Sequence, residues 1–77
     1  MPRLMREAGS NLEYFPPRDI AAGQTVGAIR REHGHSMQLT VDGQHLGAFV
    51  GGEPVSDDYV LQENDVLYFK RISGKRG

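Results

Sequence analysis

The fold predicted for this chain is decided by the stretch Asp58-Tyr59-Val60-Leu61-Gln62-Glu63-Asn64-Asp65-Val66-Leu67-Tyr68-Phe69. Two apolar residues, Val60 and Leu61, lead into a polar turn at residues 62–65. The apolar run at residues 66–69 follows at once, and it combines β-branched and aromatic side chains, as buried strands do. We expect this run to be the central strand of a sheet and the last element of its domain, so that the C-terminus leaves the sheet as a free arm.

Length and composition predict one small domain at residues 1–72, followed by a flexible basic tail at residues 73–77. A domain of this size buries only roughly 60% of the surface that its unfolded chain exposes. The chain contains no cysteine, so neither a disulfide nor a thiolate zinc site can supplement its core. No run has transmembrane length, and the N-terminus lacks the apolar core of a signal peptide. We therefore expect a soluble, cytoplasmic protein with no membrane partner.

The net charge of −1 conceals an asymmetry along the chain. No lysine or arginine lies between Glu32 and Phe69. That segment holds six acidic residues, namely Asp42, Glu53, Asp57, Asp58, Glu63 and Asp65. The charged residues after Phe69 are all basic, namely Lys70, Arg71, Lys75 and Arg76. The pattern predicts an acidic domain with a basic tail, suited to a protein partner of mixed charge. The overall acidity argues against a nucleic-acid partner.

The N-terminal residues predict a hairpin over residues 3–15. A first strand around Leu4 is followed by Ala8-Gly9-Ser10-Asn11, which is typical turn material because glycine and asparagine tolerate positive φ. Leu12-Glu13-Tyr14-Phe15 supplies a second β-prone run. Pro16-Pro17 should end that strand, because neither proline can donate a ladder hydrogen bond.

A short helix of about ten residues is predicted next, with Thr25 as its N-terminal cap. Val26, Ile29 and His33 fall on one face at helical spacing. Gly34 is placed to end the helix in the left-handed conformation. A helix this short does not persist alone, so it must dock on a sheet.

The segment after the helix allows two interpretations. In the first, residues 37–41 form a strand of period two, Asp42-Gly43 makes a tight turn, and residues 46–50 return as the partner strand. In the second, Phe49-Val50 with Val55 is the main short strand, and Met37 to Gly47 is an enlargement. The sequence leaves both open.

The element order is hairpin, helix, one or two short strands, loop and long last strand. A mixed sheet of four or five strands with one short helix on one face satisfies it, so the predicted class is α+β. This order resembles the β-grasp, or ubiquitin-like, fold. Stretches similar to the bacterial sulfur-carrier proteins of thiamin and molybdopterin synthesis are Ala21-Ala22-Gly23-Gln24-Thr25-Val26, Val50-Gly51-Gly52-Glu53-Pro54-Val55 and Tyr59-Val60-Leu61-Gln62-Glu63-Asn64-Asp65.

The resemblance implies a function for the C-terminal tail, Ile72-Ser73-Gly74-Lys75-Arg76-Gly77. Carriers of this family end in a glycine pair, because only glycine lets the chain thread up to the nucleotide of an enzyme that adenylates the terminal carboxylate. Here Ile72-Ser73-Gly74 resembles the approach to that pair, but Lys75 stands in place of the final glycine. We therefore expect a diverged carrier or adaptor that presents its sheet face and tail to a larger protein, either an activating enzyme or a synthase-like subunit.

Two alternatives remain at this point. The segments Asp58-Tyr59-Val60-Leu61-Gln62 and Asp65-Val66-Leu67-Tyr68-Phe69-Lys70-Arg71 also resemble the TGS domain, a β-grasp module appended to translation-related GTPases and synthetases. That likeness implies a regulatory or RNA-contacting module, which would use Lys70, Arg71, Lys75 and Arg76. The other alternative is that the chain is a β-grasp component of a larger assembly, including a viral one.

The sequence offers no catalytic or metal-binding constellation. His33, His35 and His45 have metal-ligand chemistry, but no cysteine assists them and the first two span a predicted helix end. The carboxylates at residues 57–58 and 63–65 lack a partner for acid-base or nucleophilic chemistry. We therefore expect no enzyme activity, cofactor, metal or small-molecule substrate.

The last strand carries the predicted protein-binding face. Side chains alternate along a strand, so Val66 and Tyr68 face one side of the sheet, and Leu67 and Phe69 face the other. Because a single helix covers only one side, we expect one of these pairs to be partly exposed. We expect that pair, rimmed by the acidic loops, to dock a protein partner.

Overall fold

The computed structural model describes residues 1–9 and 12–72. Its elements are β1 (Arg3–Arg6), β2 (Arg18–Asp19), α1 (Val26–His33), β3 (Thr40–Val41), β4 (Gln44–His45), β5 (Gly47–Val50), β6 (Glu53–Pro54) and β7 (Val66–Lys70). Five strands form one mixed sheet in the order β2-β1-β7-β5-β6, and β3 and β4 form a separate two-stranded hairpin. The predicted α+β class, with a mixed sheet and one helix, is confirmed. The described part of the chain has no helix long and apolar enough to cross a membrane.

The last strand lies at the centre of the sheet, as predicted. β7 runs parallel to β1, where Leu67 lies beside Leu4, and antiparallel to β5, where Phe69 lies beside Ala48. Helix α1 packs its buried residues, Val26 and Ile29, into the same cluster as these sheet residues. The fully or almost fully buried apolar residues are Leu4, Ile20, Val26, Ile29, Met37, Leu39, Leu46, Ala48, Leu61, Leu67 and Phe69.

The predicted second strand of the N-terminal hairpin is wrong. Residues 12–15 form no strand, and the partner of β1 is β2, which follows Pro16-Pro17 instead of ending before it. The reason lies in burial, since Leu12 and Tyr14 are 86% and 77% exposed whereas Ile20 is 5% exposed. The Ile20 amide donates to the carbonyl oxygen of Pro2 over 3.0 Å and so closes the pairing.

The helix begins as predicted and ends differently. The hydroxyl of Thr25 accepts a hydrogen bond from the Ala28 amide at 3.1 Å, which confirms the N-terminal cap. Gly34 is right-handed, with a φ of −58°, so its predicted left-handed conformation is wrong. The left-handed residue is Gln38, with a φ of 52°. The Leu39 amide donates to the Gly34 carbonyl at 3.0 Å, so the chain closes in a Schellman-type turn four residues later than predicted.

The structure bears out part of each interpretation of residues 37–55: the first in the tight turn at Asp42-Gly43, and the second in the main-sheet strand that contains Phe49 and Val50. Val55 lies just outside β6. β5 pairs with β6 and β7, and the β3–β4 hairpin before it is the enlargement. Asp42-Gly43 forms the tight turn of that hairpin, with φ angles of 53° and 77°. Met37, predicted in a strand, lies in the turn after α1 and is fully buried there.

Candidate functional site

The face of the sheet opposite α1 is the candidate site, and we call it the open face. Leu67 and Phe69 are fully buried on the helix side, so they line the core and are not available to a partner. Val66 is 44% exposed and Tyr68 is half-buried. Of the four residues predicted to form the binding face, Val66 and Tyr68 are therefore the pair that faces outward.

Strand register extends this pair into a row of apolar side chains. Tyr68 lies beside Met5 of β1 on one side and beside Phe49 of β5 on the other. Phe49 in turn lies beside Pro54 of β6. Directly opposed residues on neighbouring strands share a face, so an apolar row crosses four strands of the sheet. Sequence reasoning missed Met5, Phe49 and Pro54, because the pattern within a strand does not reveal the register between strands.

Cations flank the apolar row on both sides. Arg3 lies beside Val66 and is separated by 3.7 Å from the carboxylate of Asp19 at the sheet edge. On the opposite side of the row, the ammonium of Lys70 lies 4.5 Å from the centroid of the Phe49 ring, in a cation–π contact. An apolar centre with a positive charge on each side favours a partner surface that carries carboxylates around an apolar patch.

The tail begins against the open face. Gly47 lies beside Lys70 on this face, and a Cβ atom at Gly47 would come within 2.7 Å of the Ile72 Cγ1 atom. The same Cβ would come within 2.9 Å of the Phe49 ring. Glycine at this position therefore lets Ile72, itself 69% exposed, lie against the strand. The remaining predicted tail residues, Ser73, Gly74, Lys75, Arg76 and Gly77, lie outside the described residues.

Three of the acidic residues predicted to rim the site have partners within the molecule. Asp57 accepts a hydrogen bond from Arg30 Nε of the helix at 2.9 Å. Glu63 lies 3.2 Å from the N-terminal ammonium. Asp65 accepts from the hydroxyl of Tyr59 at 2.7 Å, and this bond, with burial and the charge of Asp65, raises the pKa of Tyr59. Each of these three carboxylates therefore contacts a group of the same domain, so none of them needs a partner protein to explain its position.

Two of the three histidines have hydrogen-bond partners elsewhere in the fold. Nδ1 of His33 accepts a hydrogen bond from Arg18 at 3.0 Å, because the guanidinium can only donate. Nδ1 of His45 lies 2.9 Å from the Thr40 hydroxyl, and His35 is exposed. Within residues 1–9 and 12–72, no three histidine, aspartate or glutamate side chains come together as a metal site would require.

Comparison of the chain with protein-family models, with curated proteins and with solved structures found no match.

Proposed function

We propose that this chain is a β-grasp domain that docks a larger protein through its open face and presents its C-terminal tail to that partner, as a diverged carrier or an adaptor. The topology supports the fold assignment. The first and last strands lie parallel and adjacent at the centre of the sheet, a short strand flanks β1, and the helix connects the two halves. This is the order that the resemblance implies, with the β3–β4 hairpin as an insertion.

The observation that carries the proposal is the apolar row of the open face. Its members are Met5, Phe49, Pro54, Val66 and Tyr68. Aromatic and methionine side chains are enriched at the centres of protein interfaces. The flanking cations, Arg3 and Lys70, select a partner whose docking surface is apolar at its centre and acidic at its rim. Ile72 connects the face to the tail, so a partner seated on the face would also meet the start of the tail.

The docking test compares two serine double variants against an adenylating enzyme of the carrier-activating class. Val66→Ser with Tyr68→Ser removes the outward pair, and we expect binding to weaken by at least about tenfold. The matched control is Leu12→Ser with Tyr14→Ser, which removes an aliphatic and an aromatic side chain that are also exposed but lie outside the sheet. Calorimetry measures the affinities, and circular dichroism checks that both variants fold. Equal affinities for the two variants would end the open-face proposal.

The tail is tested separately by intact mass after incubation with ATP and the same enzyme. The full chain is compared with a variant truncated after Gly74 that also carries Ser73→Gly, so that it ends in a glycine pair. An adenylate or conjugate on the full chain indicates an active carrier. Modification of the truncated variant alone indicates a diverged or processed carrier. If neither is modified while binding through the open face persists, the adaptor function remains, and if binding is absent too, the proposal fails.

A further inference from the structure

A second candidate site lies on the helix side of the sheet, away from the open face. The β3–β4 hairpin stands outside the main sheet, and a groove of about 260 Å³ runs between it and α1. The helix wall is formed by Gly27, Arg30, Arg31 and Gly34, which follow one side of α1 and its C-terminal turn. Thr40 and His45 of the hairpin line the other wall.

Two of the four residues of the helix wall, Gly27 and Gly34, are glycines. A Cβ atom at Gly27 would lie 3.3 Å from the Cβ of Asp57, so the loop carrying Asp57 approaches the helix closely here. A Cβ atom at Gly34 would collide with the carbonyl oxygen of Arg30. The right-handed backbone of Gly34 is one that any residue could adopt, so conformation does not require glycine here. The lack of space beside the Arg30 carbonyl oxygen does.

Arg30 is held in a fixed orientation within this groove. Its Nε donates to Asp57 Oδ1 at 2.9 Å, and its Nη1 donates to the Leu46 carbonyl at 2.7 Å. The guanidinium also lies 5.0 Å from the centroid of the Phe69 ring. An arginine has five N–H donors. Among residues 1–9 and 12–72, its Nη2 group has no hydrogen-bond partner, so donors remain for a ligand.

The groove has an excess of positive charge. Arg31 is exposed and forms no ion pair with any described residue. Asp57 is the one carboxylate among the groove's described lining residues, and its charge is offset by Arg30. Arginine forks match the two oxygens of a carboxylate, so a groove lined by both Arg30 and Arg31 favours an acidic ligand.

We propose that this groove binds an acidic peptide segment of a partner protein. Two turns of helix from Gly27 to Gly34 span roughly 10 Å, which is the length of about three extended residues. The lining consists largely of glycine backbone, guanidinium, imidazole and hydroxyl groups, so recognition depends on charge and hydrogen bonds. Because the groove and the open face lie on opposite sides of the sheet, this site is independent of the docking function proposed above.

The test uses the full chain and a peptide of alternating glutamate and glycine, titrated by two-dimensional NMR. The peptide lacks apolar side chains and so does not probe the open face's apolar row. We expect amide shifts at Arg31, Gly34 and His45. Arg31→Gln should weaken binding about five- to tenfold, the effect of losing one charge-assisted hydrogen-bonding group. The matched control is Arg18→Gln, which removes the same charge from β2, outside both the groove lining and the open face, and should leave the affinity unchanged.

Three outcomes would overturn the proposal. Equal weakening by the Arg18 and Arg31 substitutions would mean nonspecific attraction to positive charge. Absence of shifts at the groove with millimolar peptide would mean that the groove does not bind acidic segments. If inorganic phosphate bound the same residues more tightly than the peptide, the ligand of the groove would be a phosphate and not an acidic peptide. None of these outcomes bears on the open face, whose own serine variants test it.

Discussion

Leu67 and Phe69 are fully buried, whereas Val66, on the same strand, is 44% exposed and Tyr68 is half-buried. All four side chains are apolar or aromatic, so their chemistry does not separate them. The separation comes from what covers each side of β7. In the part of the chain that the structure describes, α1 and the core cover one side and no helix covers the other. We infer that the covered face holds the domain together, while the open face remains available for recognition.

Removing a side chain from the covered face should have the largest effect on stability. Phe69 packs beside Ala48 and beneath the Arg30 guanidinium. Phe69→Ala leaves a cavity and should lower the free energy of unfolding by about 3–5 kcal/mol, which approaches the whole stability of a small domain. Tyr68→Ala, one position away on the open face, should lower it by about 1 kcal/mol or less. Urea denaturation followed by circular dichroism measures both, and equal losses would contradict the distinction between the faces.

A smaller but still substantial effect is expected at Arg6, a charged residue on the covered face. It is 8% exposed, and its Nε and Nη2 atoms donate to the Gln38 carbonyl at 3.3 Å and 3.2 Å. Its guanidinium lies 4.2 Å from the centroid of the Phe15 ring. Arg6→Met keeps most of the volume but leaves that carbonyl without these donors, which should cost about 1–3 kcal/mol.

The control for Arg6 is Arg3→Met, on the same strand but facing the open side. Its contact with Asp19 is long and exposed, so its loss should change the free energy of unfolding by about 0.5 kcal/mol at most. Thermal denaturation of the two variants gives the comparison. A loss at Arg3 as large as that at Arg6 would show that burial does not govern the effect of these charges.

Local patterns predicted those features that depend on neighbouring residues. Alternation along residues 66–69 separated the two pairs, Thr25 marked the start of the helix, and Asp42-Gly43 marked a tight turn. The second strand was mispredicted because residues 12–15 have stronger β propensity than Arg18–Asp19. Burial of Ile20 decided that pairing, and burial is a property of the whole fold.

Features that join distant residues could not be predicted from local patterns. Gln38 rather than Gly34 takes the left-handed conformation, and its carbonyl meets Arg6 from a different part of the chain. The apolar row requires the register of β1, β5 and β6 against β7. The groove likewise depends on Arg30 meeting Asp57 across a separation of 27 residues.

The smallest expected effect concerns the turn that sets the register of β7. The Asp65 amide donates to the Gln62 carbonyl at 3.1 Å, and Asp65 Oδ2 accepts from the Gln62 amide at 2.8 Å and from the Tyr59 hydroxyl at 2.7 Å. A slip of one residue in β7 would exchange its covered and open faces. Tyr59→Phe removes one of these three bonds and should lower the melting temperature at neutral pH.

The pKa of Tyr59 gives this prediction a pH dependence. The hydrogen bond to Asp65, then burial and then the charge of Asp65 raise the pKa of Tyr59 above the ordinary value of 10.0. The bond therefore stabilises the fold fully below that value and is lost as pH rises through the higher pKa of the folded state. The difference in melting temperature between wild type and Tyr59→Phe should narrow above pH 10, whereas the exposed Tyr14→Phe control should show little difference at neutral pH. A difference that stays constant above pH 10 would contradict the assignment of this stabilisation to the hydrogen bond between the Tyr59 hydroxyl and Asp65. The turn that keeps Leu67 and Phe69 on the covered face would then depend on the Asp65 amide hydrogen bond to the Gln62 carbonyl and the Gln62 amide hydrogen bond to the Asp65 carboxylate.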